Sequence, residues 1–377
     1  QEDISWPSLA DSPWPMYRGD PLGSSRSKYT GPQIGTVDWI RDSLFLSSGL
    51  SIGYNNTIYT VSNKLKRGIH AVSPNGQFNW TFDSLKTIND LYAAPLVLKD
   101  STIITTTGGT GNILALDYNG NLKWIYDTGS PLYNSGITAG KDGTIYATGK
   151  YHTLFAFDNS GNLLWSFNDD RIGGYSFVAL SFSPDGRTLY IQGKNVALVA
   201  FDIEIQQIKW TFGDLTLGSN PLVDTQGNIY ILTKASEFND AHSLYSLKPD
   251  GTIKWIYEHN EPFFSKWEFG MAMDKDGNIY FAFETLYSVN YEGKLNWKHP
   301  LSTFNLVHIV VDDLANIYLQ LTTPGGNQIP IAFTQSGDVL WEFAEPLYGR
   351  AGRCGALGIL NRWYITSHED ENIYCIK

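Results

Sequence analysis

Four lysines, Lys64, Lys150, Lys194 and Lys234, each stand directly after a short apolar run, and Arg350 and Arg353 extend the series near the C-terminus. Cationic groups gathered on one surface can seat a carboxylate or a phosphate; solvated lysines at loop starts are the alternative. Aromatic residues are interleaved with them: Tyr133, Tyr151, Tyr175, Phe263, Phe264, Trp267 and Tyr348. Such rings suit a sugar or a planar cofactor, or they simply cover the core. The stretch GKYHT (149–153) sets Lys150, Tyr151 and His152 side by side. A lyase acting on uronates needs a base of one of these types and neutralisation of the substrate carboxylate. The candidate ligand-binding residues are therefore Lys64, Lys150, Tyr151, His152, Lys194, Lys234, Trp267, Arg350 and Arg353, with no catalytic residue assigned. His152, His242, His259 and His368 show no metal-ligand spacing, so no metal site is expected. In DKDGN (274–278) the glycine is fourth, whereas a calcium loop of the EF-hand type needs it sixth, so the stretch reads as a hairpin turn.

What must position these residues is a repeat. Tryptophans fall at 39, 80, 124, 165, 210, 255, 297 and 341, at steps of 41 to 45 residues. A glycine stands four residues before each, except that Gln206 precedes Trp210. Upstream, tyrosine recurs at 59, 146, 190, 230, 280, 318 and 364, with Ile104 the single departure. Two markers keeping one phase through eight repeats define the unit. In 136–167 the runs SGITA, TIYAT, LFAFD and NLLWSF alternate with turn residues, and KDG and NSG are hairpin turns. Four antiparallel strands per repeat, eight times over, predict an all-β, eight-bladed β-propeller. After Trp341 too few residues remain for a fourth strand, so the strand at 35–40 is expected to complete the last blade and leave no open edge.

Bulk properties agree. Glycine is abundant (36) and charged residues are few (17%), which favours a turn-rich β protein. A net charge of -11 argues against non-specific binding to nucleic acid. No apolar run reaches the roughly 18 residues that span a bilayer. QEDISWPSL lacks the charged and apolar regions of an export signal and reads as a mature end after its removal. Cys354 and Cys375 allow one bridge at most, and two thiols are the simpler expectation.

LALDYNGNLKW (114–124) and FAFDNSGNLLW (155–165) resemble the tryptophan-docking repeat of pyrroloquinoline-quinone (PQQ) dehydrogenases and their non-enzymatic relatives. The likeness covers residues 36–377. WPMYRGDPLGSSRSKYTGP (14–32) resembles the extended lead-in of PQQ-like propellers. The resemblance implies that Trp39, Trp80, Trp124, Trp165, Trp210, Trp255, Trp297 and Trp341 dock each blade on its neighbour. It divides the chain into a lead-in (1–34) packed on the propeller and a single propeller (35–377). Arg18-Gly19-Asp20 spells an adhesion tripeptide, but within such a lead-in a structural role is expected. The enzymes of the family carry adjacent cysteines, calcium ligands and a catalytic aspartate, none of which can be placed on this sequence.

Three functions follow as expectations. The first is an exported, non-catalytic module that binds a protein partner through its variable loops, like the outer-membrane assembly scaffolds of the family. Such a protein would be periplasmic, outer-membrane-associated or secreted, with no cofactor. The second is a protein binding or acting on an acidic glycan. The third is a dehydrogenase using PQQ and calcium.

Overall fold

The strand pattern of the repeats is realised eight times around one axis. The computed structural model describes residues 1–42, 49–62, 67–83, 94–132, 136–173, 180–213, 216–217, 219–234, 242–259, 270–301, 306–352, 355–367 and 372–377. Blade 3 shows the plan: Ile137–Ala139, Ile145–Gly149, Thr153–Phe157 and Leu163–Asn168 pair antiparallel in chain order, from axis to rim. Among the described residues only blade 5 gains a fifth strand, because Thr216–Leu217 pairs with the end of the long strand Ile229–Lys234. Blade 8 is composite. Ala356–Leu357, Trp363–Thr366 and Ile373–Ile376 come from the C-terminus, and Val37–Arg41 adds the outer strand. The closing strand is held further by Asp38, which pairs with Arg362 at 2.8 Å and Lys377 at 2.7 Å.

The two sequence markers meet inside each blade. In blade 1, Tyr59 on the second strand, Ala71 on the third and Trp80 on the fourth lie in one row. Alternate strands of a sheet are nearly 10 Å apart. The small middle residue lets the two rings lean together over it, with centroids 5.9 Å apart. The same tyrosine–small–tryptophan row recurs in blades 3 to 8, with centroids between 5.8 and 6.1 Å apart. In blade 8 the middle residue is Cys375, between Tyr364 and Trp39. It is a buried, free thiol whose titration burial pushes up to about 12.

The tryptophans then lock blade to blade. Trp80 Nε1 donates to the carbonyl of Tyr118 in the next blade at 2.8 Å. Gly120 in that turn has φ +84, and a Cβ there would lie 2.6 Å from the Trp80 ring, so both its conformation and the close approach require glycine. Trp39, Trp124, Trp210, Trp255, Trp297 and Trp341 dock in the same way, at 2.8–3.1 Å. Trp165 is the exception, and it faces the one turn that lacks the glycine. Ten positions separate Ala200 from the paired Trp210, against nine between Ala115 and Trp124. The turn is one residue longer and Gln206 takes the left-handed conformation. That joint is filled instead by Phe201, against Trp165 at 5.8 Å and Phe167 at 4.8 Å.

The lead-in closes one end of the axis. Carbonyls of Trp14, Pro15, Pro21, Leu22, Ser24 and Ser25 accept the N–H of Ile52, Val97, Phe182, Val223, Met273 and Val311. Those donors end the innermost strands of blades 1, 2, 4, 5, 6 and 7, in ring order. Twelve residues extend over roughly 40 Å at most, so a segment serving six blades must run close to the axis. Prolines suit the path because only their carbonyls are called on. Arg18 is 1% exposed; its guanidinium donates to Ser25 Oγ at 3.1 Å and to the carbonyls of Pro221 and Met271 at 3.0 and 2.9 Å. Asp20 accepts from the backbone of Leu22 at 2.8 Å and from the Ser24 hydroxyl. The Arg18-Gly19-Asp20 tripeptide is thus folded into the interior of the lead-in.

Candidate functional site

The antiparallel order of each blade puts two kinds of connection at opposite ends. The turns between first and second strands, and between third and fourth, share the face that the lead-in closes. These turns are built for themselves. Asp274 accepts the backbone N–H of Asp276 and Asn278 at 2.9 Å, and its other oxygen takes Asn278 Nδ2 and the Tyr280 hydroxyl at 2.8 Å. Asp224 and Asp312 repeat the pattern with Tyr230 and Tyr318. Burial, reinforced by the neighbouring aspartate, raises those tyrosine hydroxyls far above the ordinary value. The Asp274 carboxylate is engaged by its own turn and by Gln335 Nε2 of the next blade at 3.0 Å, and among the described residues no group of three His, Cys, Asp or Glu side chains could hold a metal.

The opposite face carries the loops between second and third strands and the crossings between blades. On it, the joint of blades 3 and 4 is tied together by hydrogen bonds. The turn at Lys150–His152 is pinned from several sides. Lys150 N–H donates to the Pro131 carbonyl at 2.8 Å, and Asn168 Nδ2 donates to the Tyr151 carbonyl at 2.6 Å. Asp169 N–H donates to the His152 carbonyl at 3.1 Å. His152 sits in the left-handed region (φ +60), which histidine tolerates better than most side chains. Its Nδ1 lies 2.6 Å from the Ile172 carbonyl and its Nε2 lies 3.0 Å from Lys194 Nζ of blade 4. A bridge between Ile172 and Gly193 and a bond from Lys194 N–H to the Arg171 carbonyl complete the joint. Arg171 clamps Asp169 with two bonds, at 2.8 and 2.7 Å. That bond first, and the guanidinium charge, hold the Asp169 carboxyl below the usual range. Tyr151 projects 56% exposed, with Lys150 Nζ 5.9 Å from its ring centre.

Lys150, Tyr151, His152 and Lys194 are thus brought together. Arg350 lies across the ring, on the loop after blade 7. There Gly349 N–H reaches Asn327 Oδ1 at 3.3 Å, and the Tyr348 carbonyl accepts from the Ser367 and Tyr374 hydroxyls at 3.4 Å. Tyr348 itself is 71% exposed. Lys234 ends its strand with its backbone paired to Thr216. Lys64, Trp267 and Arg353, with Tyr133, Tyr175, Phe263, Phe264 and His368, lie outside the described residues, as does the His242 side chain. His259 is a core residue, buried against Phe283 with ring centres 4.5 Å apart. Sequence reading did not single out Asn168, Asp169, Arg171 and Ile172. Only NDDRI directly after a strand hinted that its polar groups would hold a neighbouring turn.

The comparisons extend this picture. A family model described as "Outer membrane protein assembly factor BamB" matches residues 25–166. No curated protein sequence matches the chain. Among solved structures, BamB from Moraxella catarrhalis is 15% identical with a TM-score of 0.65, over 91% of this chain and 98% of that one. The quinohemoprotein alcohol dehydrogenase ADHIIG from Pseudomonas putida HK5 is 10% identical with a TM-score of 0.72, over 98% and 80%. A europium-containing methanol dehydrogenase is 12% identical with a TM-score of 0.68, over 95% and 89%. At these identities the likeness concerns the fold. By fold the chain is an eight-bladed β-propeller, and it is similar to BamB, whose family model its early repeats match, and to the quinoprotein dehydrogenases alike.

Proposed function

We propose that this protein is a non-catalytic binding module that docks a protein partner on its loop face. The observation that carries the reading is the pair Tyr151 and Tyr348. Each is an exposed aromatic side chain on backbone fixed by hydrogen bonds, on blade 3 and beyond blade 7 respectively. Rigid tyrosines beside cationic side chains are the anchors that dominate protein interfaces. The other face is occupied by self-satisfied turns and the lead-in. The partial match to the BamB family model supports a protein partner and a place at the outer membrane, after export. Among the described residues no helix is long and apolar enough to cross a membrane. Nothing in the comparisons supports the acidic-glycan expectation. The dehydrogenase reading keeps the fold likeness alone, and a quinone absorption band with dye reduction would be its signature.

Alanine variants test the docking face. Tyr151→Ala and Tyr348→Ala should each weaken retention of a partner from envelope extract about tenfold or more. Leu314→Ala and Leu360→Ala, at exposed turn tips on the lead-in side, should leave it unchanged. The reverse pattern would move the interface to the other face and end this reading.

A further inference from the structure

We propose that the joint between blades 3 and 4 is a proton-linked site for a carboxylate on an acidic segment of a protein partner. The proposal deepens the docking reading and takes from it the protein nature of the ligand. Its basis is the tautomer of His152. With Nδ1–H directed at the Ile172 carbonyl 2.6 Å away, the neutral ring presents its lone pair at Nε2, 3.0 Å from Lys194 Nζ. In that state Lys194 donates to the imidazole and the ring can give nothing to an anion.

One proton taken from water onto Nε2 reverses this. The acceptor becomes a donor, the two cations repel one another, and both N–H groups can turn to the two oxygens of one carboxylate. Only hydrogen bonds are exchanged, so the balance is one proton gained with each carboxylate bound. The surroundings are predominantly cationic and favour the anion. Lys150 and Tyr151 flank His152 on its own turn, Asp170 and Arg171 lie on the crossing, and Lys194 comes from blade 4. The competing carboxylate, Asp169, is already clamped by Arg171 at 2.8 and 2.7 Å. Because backbone bonds fix the turn, the ring stays in place while its charge changes.

The test uses the full chain and a capped tetra-glutamate peptide, whose carboxylates stay ionised at pH 6 and above. Binding is followed through the His152 ring signal by NMR, assigned with His152→Gln. The expected result is about tenfold tighter binding at pH 6 than at pH 8, with a net uptake in calorimetry averaging about half a proton per peptide across that range, as the linkage requires. Lys194→Met and His152→Gln should abolish the pH dependence with an unchanged unfolding midpoint, and Lys194→Arg should keep it. Equal affinity at the two pH values, or an unaffected Lys194→Met protein, overturns the proposal. So does a ring that responds to inorganic phosphate and not to the peptide. A partner that still cross-links through position 151 after such a result would leave the docking reading standing and remove only this one.

Discussion

Trp341 donates its indole N–H to the carbonyl of Pro32 at 2.8 Å, across 309 positions of the chain. It is the last of the docking tryptophans, and its ring stacks over Gly35, where an added Cβ would come within 2.4 Å of it. The end of the lead-in therefore meets the seventh blade at the same place where the first strand closes the eighth. Replacing Trp341 by Phe keeps most of the ring and loses the hydrogen bond, for about 1 kcal/mol of stability. Replacing it by Ala should cost about 3 to 5 kcal/mol. Denaturant unfolding of the two variants checks both numbers, and equal losses would show that the N–H does not matter.

The joint between blades 3 and 4 is the one where tryptophan docking is missing. Replacing Ile203–Gln206 by Tyr-Asn-Gly shortens that turn by one residue and supplies a glycine where Gln206 holds a positive φ. Relief of the left-handed residue and a new bond from Trp165 should stabilise the protein by about 1 kcal/mol. A rise in the thermal midpoint supports this explanation of the irregular joint. A fall would mean that the longer turn is itself required.

Acid should loosen the closure of the ring. Lys377 and Arg362 hold the Asp38 carboxyl below its ordinary value of 3.8, chiefly through the Lys377 hydrogen bond. A carboxylate depressed in the folded state stabilises fully above the ordinary value, and that stabilisation is lost as the pH falls through the folded value. Stability should therefore drop below about pH 4 more steeply in the parent protein than in Asp38→Asn. Parallel curves for the two proteins would contradict the assignment.

Cys375 should behave as a packing residue. In the folded state its thiol, raised by burial to about 12, stays protonated at pH 8, and no solvent reaches it. In a Cys354→Ser protein the remaining thiol should resist an aromatic disulfide reagent at pH 8 and react fully once denaturant is added. Cys375→Ala, which restores the residue used in most of the other rows, should cost less than about 1.5 kcal/mol.

Most of the architecture could be read from residue types because each marker has one physical partner. Trp80 needs Gly120 to approach the next blade, and Tyr59 needs a small residue to meet Trp80, so their spacing records the fold. Even the exception was visible, since Gln206 interrupts the glycine series at the joint where docking fails. The inner path of the lead-in was not legible. Its contacts are backbone carbonyls, and a carbonyl of Pro21 or Ser24 leaves no trace in side-chain type. The same holds for the site. Lys150, Tyr151 and His152 adjoin in the chain, but Lys194 joins them only through the register of blades 3 and 4. The supporting bonds again run largely to backbone atoms of Pro131, Tyr151 and Ile172.

The central claim, docking on the loop face, is tested most directly by photo-crosslinking. A benzophenone amino acid placed in turn at positions 151, 348, 314 and 360 samples both faces of the same folded propeller. The account predicts the same partner adduct from 151 and 348, and none from 314 or 360. Adducts from 314 and 360 alone would place the interface on the face of the lead-in and contradict it.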